Sequence, residues 1–271
     1  MQLLIFLIAS CLMTQDVDEL LQGVARALKQ GQNQEALALA EKAVQADAKN
    51  PRALLARGLA YEALQKHAEA VADFGQVIAL DPKAAEAYNR RGSERLKQGK
   101  IAEAVADFDK FLELRPQEYS GHWKRGIALY YLGKFDEGRK QFGAYEQVDA
   151  NDVENAVWHF LCNARLVGVA KARAQLLKVG NDKRVPLMQV YALFKGEAKP
   201  DDVLAAATAG QPPAAELRSR LFYAHLYLGL YYEAAGDAKR ALEHLSKAAG
   251  EHYLPGYMGD VARVHVELRK K

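Results

Sequence analysis

Small and aromatic residues recur along the first half of the chain with a period of 34 residues. Five columns share this period: Gly58, Gly92 and Gly126; Ala36, Ala70 and Ala104; Phe74, Phe108 and Phe142; Gly31, Gly99 and Gly133; Pro82 and Pro116. Self-similarity at such a period indicates one supersecondary unit that is copied and stacked on its neighbours. Because Ala-rich stretches dominate and proline is scarce, each unit is predicted to be a helix–turn–helix.

The column residues each have a physical role in such a unit, and together they are typical of tetratricopeptide repeats. The small glycine, as at Gly58, lets the first helix approach the second, and the phenylalanine, as at Phe74, fills the wedge between them. Gly31 and its copies end the first helix in a conformation that glycine adopts at little cost. Arg57 precedes one small glycine and is predicted to pair with Asp73, 16 residues later.

The period breaks after residue 150 and returns near Gly229. In between, Trp158, Leu161 and the Leu176–Leu177 pair predict two amphipathic helices. Shorter helices are predicted over 185–195 and 201–207. The predicted fold is all-α: a tetratricopeptide helical-hairpin solenoid with an irregular helical middle block and a C-terminal capping helix.

The N-terminus differs from the rest of the chain, because residues 1–15 carry no charged side chain. Its apolar run is shorter than the about 20 residues of a membrane span and fits the core of a secretory signal. The segment Ile8-Ala9-Ser10-Cys11 resembles a bacterial lipobox, which implies cleavage before Cys11 and lipidation of that cysteine. No Lys or Arg precedes the run, so an apolar N-terminal turn on a cytosolic protein stays open.

These patterns predict a division of the chain into six segments. They are a lipoprotein signal peptide (1–10), a lipidated tether (11–19), four repeat units (20–150), an irregular helical block (151–216), a repeat-like unit (217–250) and a capping helix (251–271).

The sequence predicts no catalytic residue, no metal site and no cofactor. It contains no HExxH, Walker or GxSxG motif, and its net charge of +3 argues against a nucleic-acid partner. His122 and His225 fall where repeat units place a core aromatic residue, so both are predicted to be packed. Cys162 lies in an apolar helical stretch and is predicted to be a small buried hydrophobe.

The first helix of each repeat lines the concave face of a solenoid, and counting from the small glycine selects candidates for partner binding. They are Asn89, Arg90, Lys97, Trp123, Lys124, Ile127 and Tyr131. Arg and Lys bind carboxylates, and Trp, Tyr and Arg dominate interface energies. The set therefore predicts a peptide groove. Alternatively, the middle block or a second subunit covers Trp123 and Tyr131.

Three segments resemble one family: YSGHWKRGIALYY at 119–131, DANDVENAVWHFL at 149–161 and LYLGLYYEAAGDAKRA at 226–241. In this order they resemble the NlpI family of tetratricopeptide-repeat lipoproteins of Gram-negative bacteria. The resemblance implies an outer-membrane lipoprotein that faces the periplasm, is often a homodimer, and gathers peptidoglycan hydrolases and a protease as a non-enzymatic adaptor. The alternative is a cytosolic co-factor that binds peptides of chaperones or secretion components.

Overall fold

A computed structural model describes residues 16–269, which form fifteen α-helices and one 3₁₀ helix (Pro116–Glu118) with no β-strand in that range. The chain divides into two compact units, of which the first ends at Glu94 and the second begins at Arg95. Within residues 16–269, no helix is both long and apolar enough to cross a membrane. The predicted signal peptide and the lipidation site Cys11 lie outside the described residues.

The first unit consists of antiparallel helices. They are α1 (Val17–Lys29), α2 (Asn33–Ala46), α3 (Pro51–Ala63), α4 (His67–Leu80) and the greater part of α5 (Ala85–Lys97). Helices α1 and α2 pack as one hairpin, and α3 and α4 as the next. Asn50 begins the second hairpin, since its side chain accepts hydrogen bonds from the N–H groups of Arg52 and Ala53, with Pro51 in the first turn.

The wedge predicted between paired helices is present in the first unit. A Cβ atom added at Gly58 would lie 2.6 Å from the Phe74 ring, which is fully buried. Only glycine allows the two helices to come this close. The turn after α1 uses Gly31 at a φ of 71°, and the turn after α3 places Gln65 at a φ of 58°. Gln65 thus holds the left-handed conformation that glycine adopts in the equivalent turns.

The predicted ion pair between Arg57 and Asp73 is confirmed. Arg57 donates from Nε and Nη2 to the two carboxylate oxygens of Asp73, both at 2.7 Å. Asp73 is 2% exposed, so its charge depends on this partner. Mainly through this hydrogen bond, Asp73 raises the pKa of Arg57. The pair therefore ties α3 to α4 beside the Gly58 wedge.

The second unit continues with ten further α-helices. They are α6 (Ile101–Leu114), α7 (Trp123–Tyr131), α8 (Phe135–Tyr145), α9 (Val153–Val167), α10 (Val169–Ala174), α11 (Leu187–Lys195), α12 (Pro200–Thr208), α13 (Ala214–Ala234), α14 (Ala238–Ala249) and α15 (Tyr257–Arg269). Helices α7 and α8 repeat the hairpin, with a Cβ at Gly126 falling 2.6 Å from Phe142. Helices α13 and α14 form another hairpin, in which Gly229 meets Leu245. The all-α, helical-hairpin prediction is confirmed.

The middle block departs from the predicted helices at one place. The short helices expected over 185–195 and 201–207 correspond to α11 and α12. The second amphipathic helix expected through Leu176 and Leu177 is wrong, because α10 ends at Ala174 and residues 176–183 are not helical. Arg184 at the end of this segment pairs with Asp152, Glu154 and Asp182. Ion pairs thus hold this non-helical segment against the start of α9.

Candidate protein-binding site

The start of α7 carries two of the predicted site residues, Trp123 and Lys124, both half-buried. His122 begins this helix, and its Nδ1 accepts a hydrogen bond from the N–H of Arg125 at 3.2 Å. The His122 ring packs against Phe108 and Phe111, as predicted for a core aromatic position. Burial lowers the pKa of His122 to about 4, so the ring is neutral at physiological pH.

The first residue of α15, Tyr257, lies against this part of α7. Its ring meets Trp123 edge to face, with 5.1 Å between the ring centroids. The ammonium groups of Lys124 and Lys97 lie 5.0 and 6.0 Å from the centre of the same ring. Three predicted site residues therefore converge on one aromatic ring of the chain itself, held by aromatic and cation–π contacts.

Further along α7, Tyr131 is also covered by α15. Its hydroxyl lies 3.1 Å from Nδ1 of His265, and its ring meets Trp158 of the middle block edge to face. Burial raises the pKa of Tyr131 well above its ordinary value, so the hydroxyl stays protonated. The expectation that the middle block covers Tyr131 is therefore met in part, through Trp158. Helix α15 covers Tyr131 as well, through His265.

A half-buried carboxylate, Glu233 of α13, connects α7 to the C-terminal helix. It accepts hydrogen bonds from Tyr130 at 2.9 Å, from His265 at 2.7 Å and from Arg269 at 2.7 Å. Burial opposes its charge, but the hydrogen bonds from His265 and Arg269 outweigh burial and lower the pKa of Glu233 well below its ordinary value. Glu233 is therefore a charged anchor for α15.

Ile127 is 1% exposed, so the structure places this predicted site residue in the core. Together with Trp123, it lines a cavity of about 200 Å³ whose other walls come from α8, α9, Arg184 and Met258. Ile127 can reach a ligand only through that cavity. The structure thus brings Trp123 and Ile127 together, one at a half-buried surface and one inside.

Asn89 and Arg90 lie on α5 in the first unit, where acidic side chains surround them. Arg90 donates from Nε to Glu86 at 2.6 Å and from Nη1 to Glu62 at 3.1 Å, and Asn89 contacts Glu86 at 3.4 Å. Burial opposes the charge of Arg90, but these two carboxylates outweigh it and raise its pKa. Its charge is therefore compensated without an acidic peptide.

Arg125 precedes Gly126 as Arg57 precedes Gly58, but Gln141 stands where the equivalent of Asp73 would be, 16 residues later. Arg125 is nevertheless paired. Its Nε donates to Asp109 at 2.6 Å and its Nη1 to Gln141 at 3.2 Å. Gln141 also donates to the main-chain oxygen of Tyr119 at 2.5 Å. The nearer carboxylate comes from α6, a position that the repeat period does not indicate, and Glu137 of the paired helix α8 lies 3.6 Å from Nη2 of Arg125.

The remaining histidines and the cysteine among residues 16–269 are packed side chains. No group of three or more His, Cys, Asp or Glu there could hold a metal ion. His225 is packed, as predicted: its Nδ1 lies 2.8 Å from Nδ1 of His244, and its ring stacks on His252 at 5.1 Å. Cys162 is fully buried, as predicted, and burial raises the pKa of its thiol, so it is an unreactive core residue.

The sequence patterns do not single out three residues of this site: Tyr257, Glu233 and Asn155, which lines the same cavity as Trp123 and Ile127. Tyr257 belongs to a segment predicted only to cap the last repeat, and Asn155 was one polar position in an apolar helix. Glu233 lies next to Ala234 in the repeat-like unit, where an acidic residue suggests a solvated surface. The sequence around each of these residues reports only on its own helix, whereas the roles of the three residues come from contacts between helices that are distant in sequence.

The fold and this surface define an α-helical repeat protein of the protein-binding class. The model of the tetratricopeptide repeat family matches residues 24–85, 55–119 and 89–153. A solved tetratricopeptide repeat domain, the first one of Spaghetti (RPAP3) bound to an HSP90 peptide, is 35% identical over 38% of this chain and 82% of that chain, with a TM-score of 0.37. The chain belongs to the tetratricopeptide repeat family.

Two other solved structures extend over more of the chain at lower identity. A tetratricopeptide repeat protein from Parabacteroides merdae is 15% identical over 94% of this chain and 99% of that one, with a TM-score of 0.61. MamA from Desulfovibrio magneticus is 20% identical over 59% of this chain and 92% of that one, with a TM-score of 0.54. Both show likeness of fold. No curated protein matches the sequence.

Proposed function

We propose that the protein is a non-enzymatic adaptor of the cell envelope. A lipid on Cys11 anchors it to the outer membrane, and its repeats dock periplasmic peptidoglycan hydrolases or a protease. The repeats over residues 24–153 carry this proposal, because tetratricopeptide repeats bind proteins. The resemblance of residues 119–131, 149–161 and 226–241 to the NlpI family supports the compartment, the clients and a homodimer.

The partner-binding surface in this proposal begins at α7 of the second unit. Trp123, Lys124 and Lys97 surround Tyr257, so an aromatic and cationic surface lies together at one place. Tryptophan is among the residues that dominate interface energies, and lysine attracts the carboxylates of a partner. Ile127 and Tyr131 support this surface from within the unit. Asn89 and Arg90 are a separate polar candidate on the first unit, where Glu86 and Glu62 already pair with Arg90.

Anchoring gives such an adaptor its effect without chemistry of its own. A lipid-anchored chain holds its clients near the membrane, so a second client meets the first at a raised effective concentration. Anchoring by several acyl chains is stable, since each buried CH₂ contributes about 0.8 kcal/mol. The adaptor would therefore speed reactions that its clients carry out at the envelope.

Two measurements on the native protein test the proposal. Intact mass from the membrane fraction should lack residues 1–10 and carry acyl chains on Cys11. Affinity purification from envelope extract should recover a peptidoglycan hydrolase or a protease, and Lys124→Glu should reduce that recovery. Lys171→Glu, an exposed charge reversal on α10, is the matched control. An unmodified full-length mass would contradict the lipid anchor. Recovery of the partner that Lys124→Glu leaves unchanged would contradict the proposed binding surface.

A further inference from the structure

The cavity of about 200 Å³ is lined by the apolar side chains of Trp123, Ile127 and Met258. Asn155 and Trp158 of α9 also line it, as does Arg184, which is half-exposed. A volume of this size holds more than one water molecule, whose share of liquid volume is about 30 Å³. It is also large enough for a side chain of moderate size.

Two polar atoms on the α9 side have no hydrogen-bond partner within residues 16–269. They are the indole Nε1 of Trp158 and the amide Oδ1 of Asn155. Trp158 is 2% exposed and Asn155 is 5% exposed, so water does not satisfy these atoms freely. Because buried polar groups in folded proteins are nearly always paired, two such atoms in residues that line one cavity make that cavity a candidate binding site.

The chemistry of these two atoms is determined by their surroundings. Asn155 donates from Nδ2 to the main-chain oxygen of Phe142 at 3.0 Å, so its unpaired Oδ1 is an acceptor. The indole N–H of Trp158 is always a donor. The two residues are three positions apart on α9 and therefore share a face of the helix. A complementary ligand needs an acceptor and a donor side by side.

The charges at the cavity favour a neutral ligand. Asp152 and Glu154 line it, and Arg184 binds both carboxylates, at 2.8 and 2.5 Å. Arg184 is committed to a third carboxylate, Asp182, at 2.5 Å. No uncompensated cation of the described residues is left there for an anionic ligand, and the neighbouring carboxylates repel one.

We propose that this cavity binds a neutral amide group of a partner polypeptide, a site that deepens the proposed protein-binding function and rests on it. The amide oxygen accepts from Trp158 Nε1–H, and the amide N–H donates to Asn155 Oδ1. The aliphatic part of the same residue packs between Trp123 and Met258. A Gln or Asn side chain offers both groups from one amide. In the main chain, where the C=O and N–H of a trans amide point in opposite directions, the N–H and C=O of one extended residue would offer them instead.

The two tryptophans of the chain, Trp123 and Trp158, both line the cavity, so indole N–H signals report on it directly. We would titrate the ¹⁵N-labelled protein with N-acetyl-glutamine-N-methylamide and assign the two signals with Trp123→Phe and Trp158→Phe. We expect a saturable downfield shift of the Trp158 signal, with the isosteric glutamate derivative at least about tenfold weaker. Asn155→Leu should abolish the shift while preserving the other amide signals of the fold.

The source of the amide is distinguished by N-acetyl-glycine-N-methylamide, which has main-chain amides only. A shift with the glutamine compound alone indicates a side-chain amide, and equal shifts indicate the main chain. A Trp158 signal that neither compound moves at up to about 50 mM, beyond the millimolar affinity of so small a ligand, overturns the site. Where the glycine compound causes no shift, equal shifts with the glutamine and glutamate compounds overturn the site as well, because no amide is then being recognised.

Failure of this site and failure of the proposed function are separable. If the Trp158 signal does not move but the wild-type protein still recovers its envelope partner, the amide site is wrong and the adaptor function stands. If the wild-type protein recovers no partner, the adaptor function fails regardless of the titration. If Asn155→Leu abolishes both the shift of the Trp158 signal and the recovery of the partner, the partner binds through the amide site.

Discussion

Trp123 and Tyr257 meet edge to face with 5.1 Å between their ring centroids, which places the first residue of α15 on the first residue of α7. The C-terminal helix therefore does more than cover a last apolar face. It packs on the helix that carries Trp123, Lys124 and Tyr131, three of the predicted partner-binding residues. Lys97 and Lys124 face the same Tyr257 ring, so one aromatic residue organises three candidates.

The Trp123–Tyr257 contact should stabilise the second unit. We expect Tyr257→Ala to lower the free energy of unfolding by about 1–3 kcal/mol, since an aromatic pair contributes beyond its buried area and two cations lose their ring. Urea denaturation measures the change, and acrylamide quenching of tryptophan fluorescence should increase. Tyr257→Phe, which retains the ring, is the control. Equal losses for the two variants would show that the ring contacts are not responsible.

The glycine wedges should not tolerate a methyl group. A Cβ at Gly126 lies 2.6 Å from the Phe142 ring, so Gly126→Ala should destabilise by about 1–3 kcal/mol through overpacking. Gly143 of α8 has nothing within 4 Å of an added Cβ, and Gly143→Ala should stabilise by up to about 1 kcal/mol through helix propensity. Thermal unfolding of both variants checks the contrast in sign. If both variants moved the midpoint the same way, the wedge would not be the constraint.

The buried ion pair of the first unit should matter far more than an exposed one. Asp73→Ala leaves Arg57 without its bidentate partner, and we expect a loss of about 3 kcal/mol in the free energy of unfolding. Arg52 pairs with Asp18 at 2.7 Å, but their side chains are 69% and 60% exposed. Arg52→Ala should therefore cost less than about 1 kcal/mol. Urea titrations measure both losses of unfolding free energy. Equal losses for the two variants would show that burial does not determine how much an ion pair contributes.

Acid should destabilise the second unit through buried histidines. Burial lowers the pKa of His122 and of His159 to about 4, against about 6.5 in the unfolded chain. Between these values the unfolded chain binds more protons, so stability is present above pH 6.5 and is lost as the pH falls towards 4. Each histidine should contribute on the order of 1–2 kcal/mol of the loss between pH 7 and pH 5.

His159→Leu tests that pH dependence most simply, because Nδ1 of His159 has no hydrogen-bond partner among the residues that the structure describes. The variant should lose less free energy of unfolding between pH 7 and pH 5 than the wild-type protein loses. An unchanged difference would mean that His159 does not titrate on unfolding in this range.

The parts of the fold that repeat were predictable from the sequence. Gly58 and Phe74 belong to columns of period 34, and their contact follows from helix packing inside one hairpin. Gly133 follows the same rule, with a φ of 79°. Gln65 lies 34 residues after Gly31 and 34 before Gly99, so it stands where that column would place a glycine, yet its turn has the same conformation. The geometry of the hairpin therefore determines this backbone even where the residue does not favour it.

The candidate site was predictable only in its outline. Trp123 and Lys124 were chosen from their register within a repeat, but the repeat cannot indicate which distant helix lies over them. Contacts from Tyr257 to Trp123 and from His265 to Tyr131 join segments with no shared period. Residues 176–183 were mispredicted for a related reason, since the ion pairs of Arg184 rather than a local apolar pattern hold that region.

Photocrosslinking in the cells that produce the protein tests the partner-binding surface most directly. A benzophenone amino acid would replace Lys124 beside Tyr257, and in a matched control it would replace Lys171 on α10. We expect a discrete adduct with a peptidoglycan hydrolase or a protease from position 124 and none from position 171. No adduct from position 124, or the same adducts from both positions, would contradict a partner-binding surface at α7.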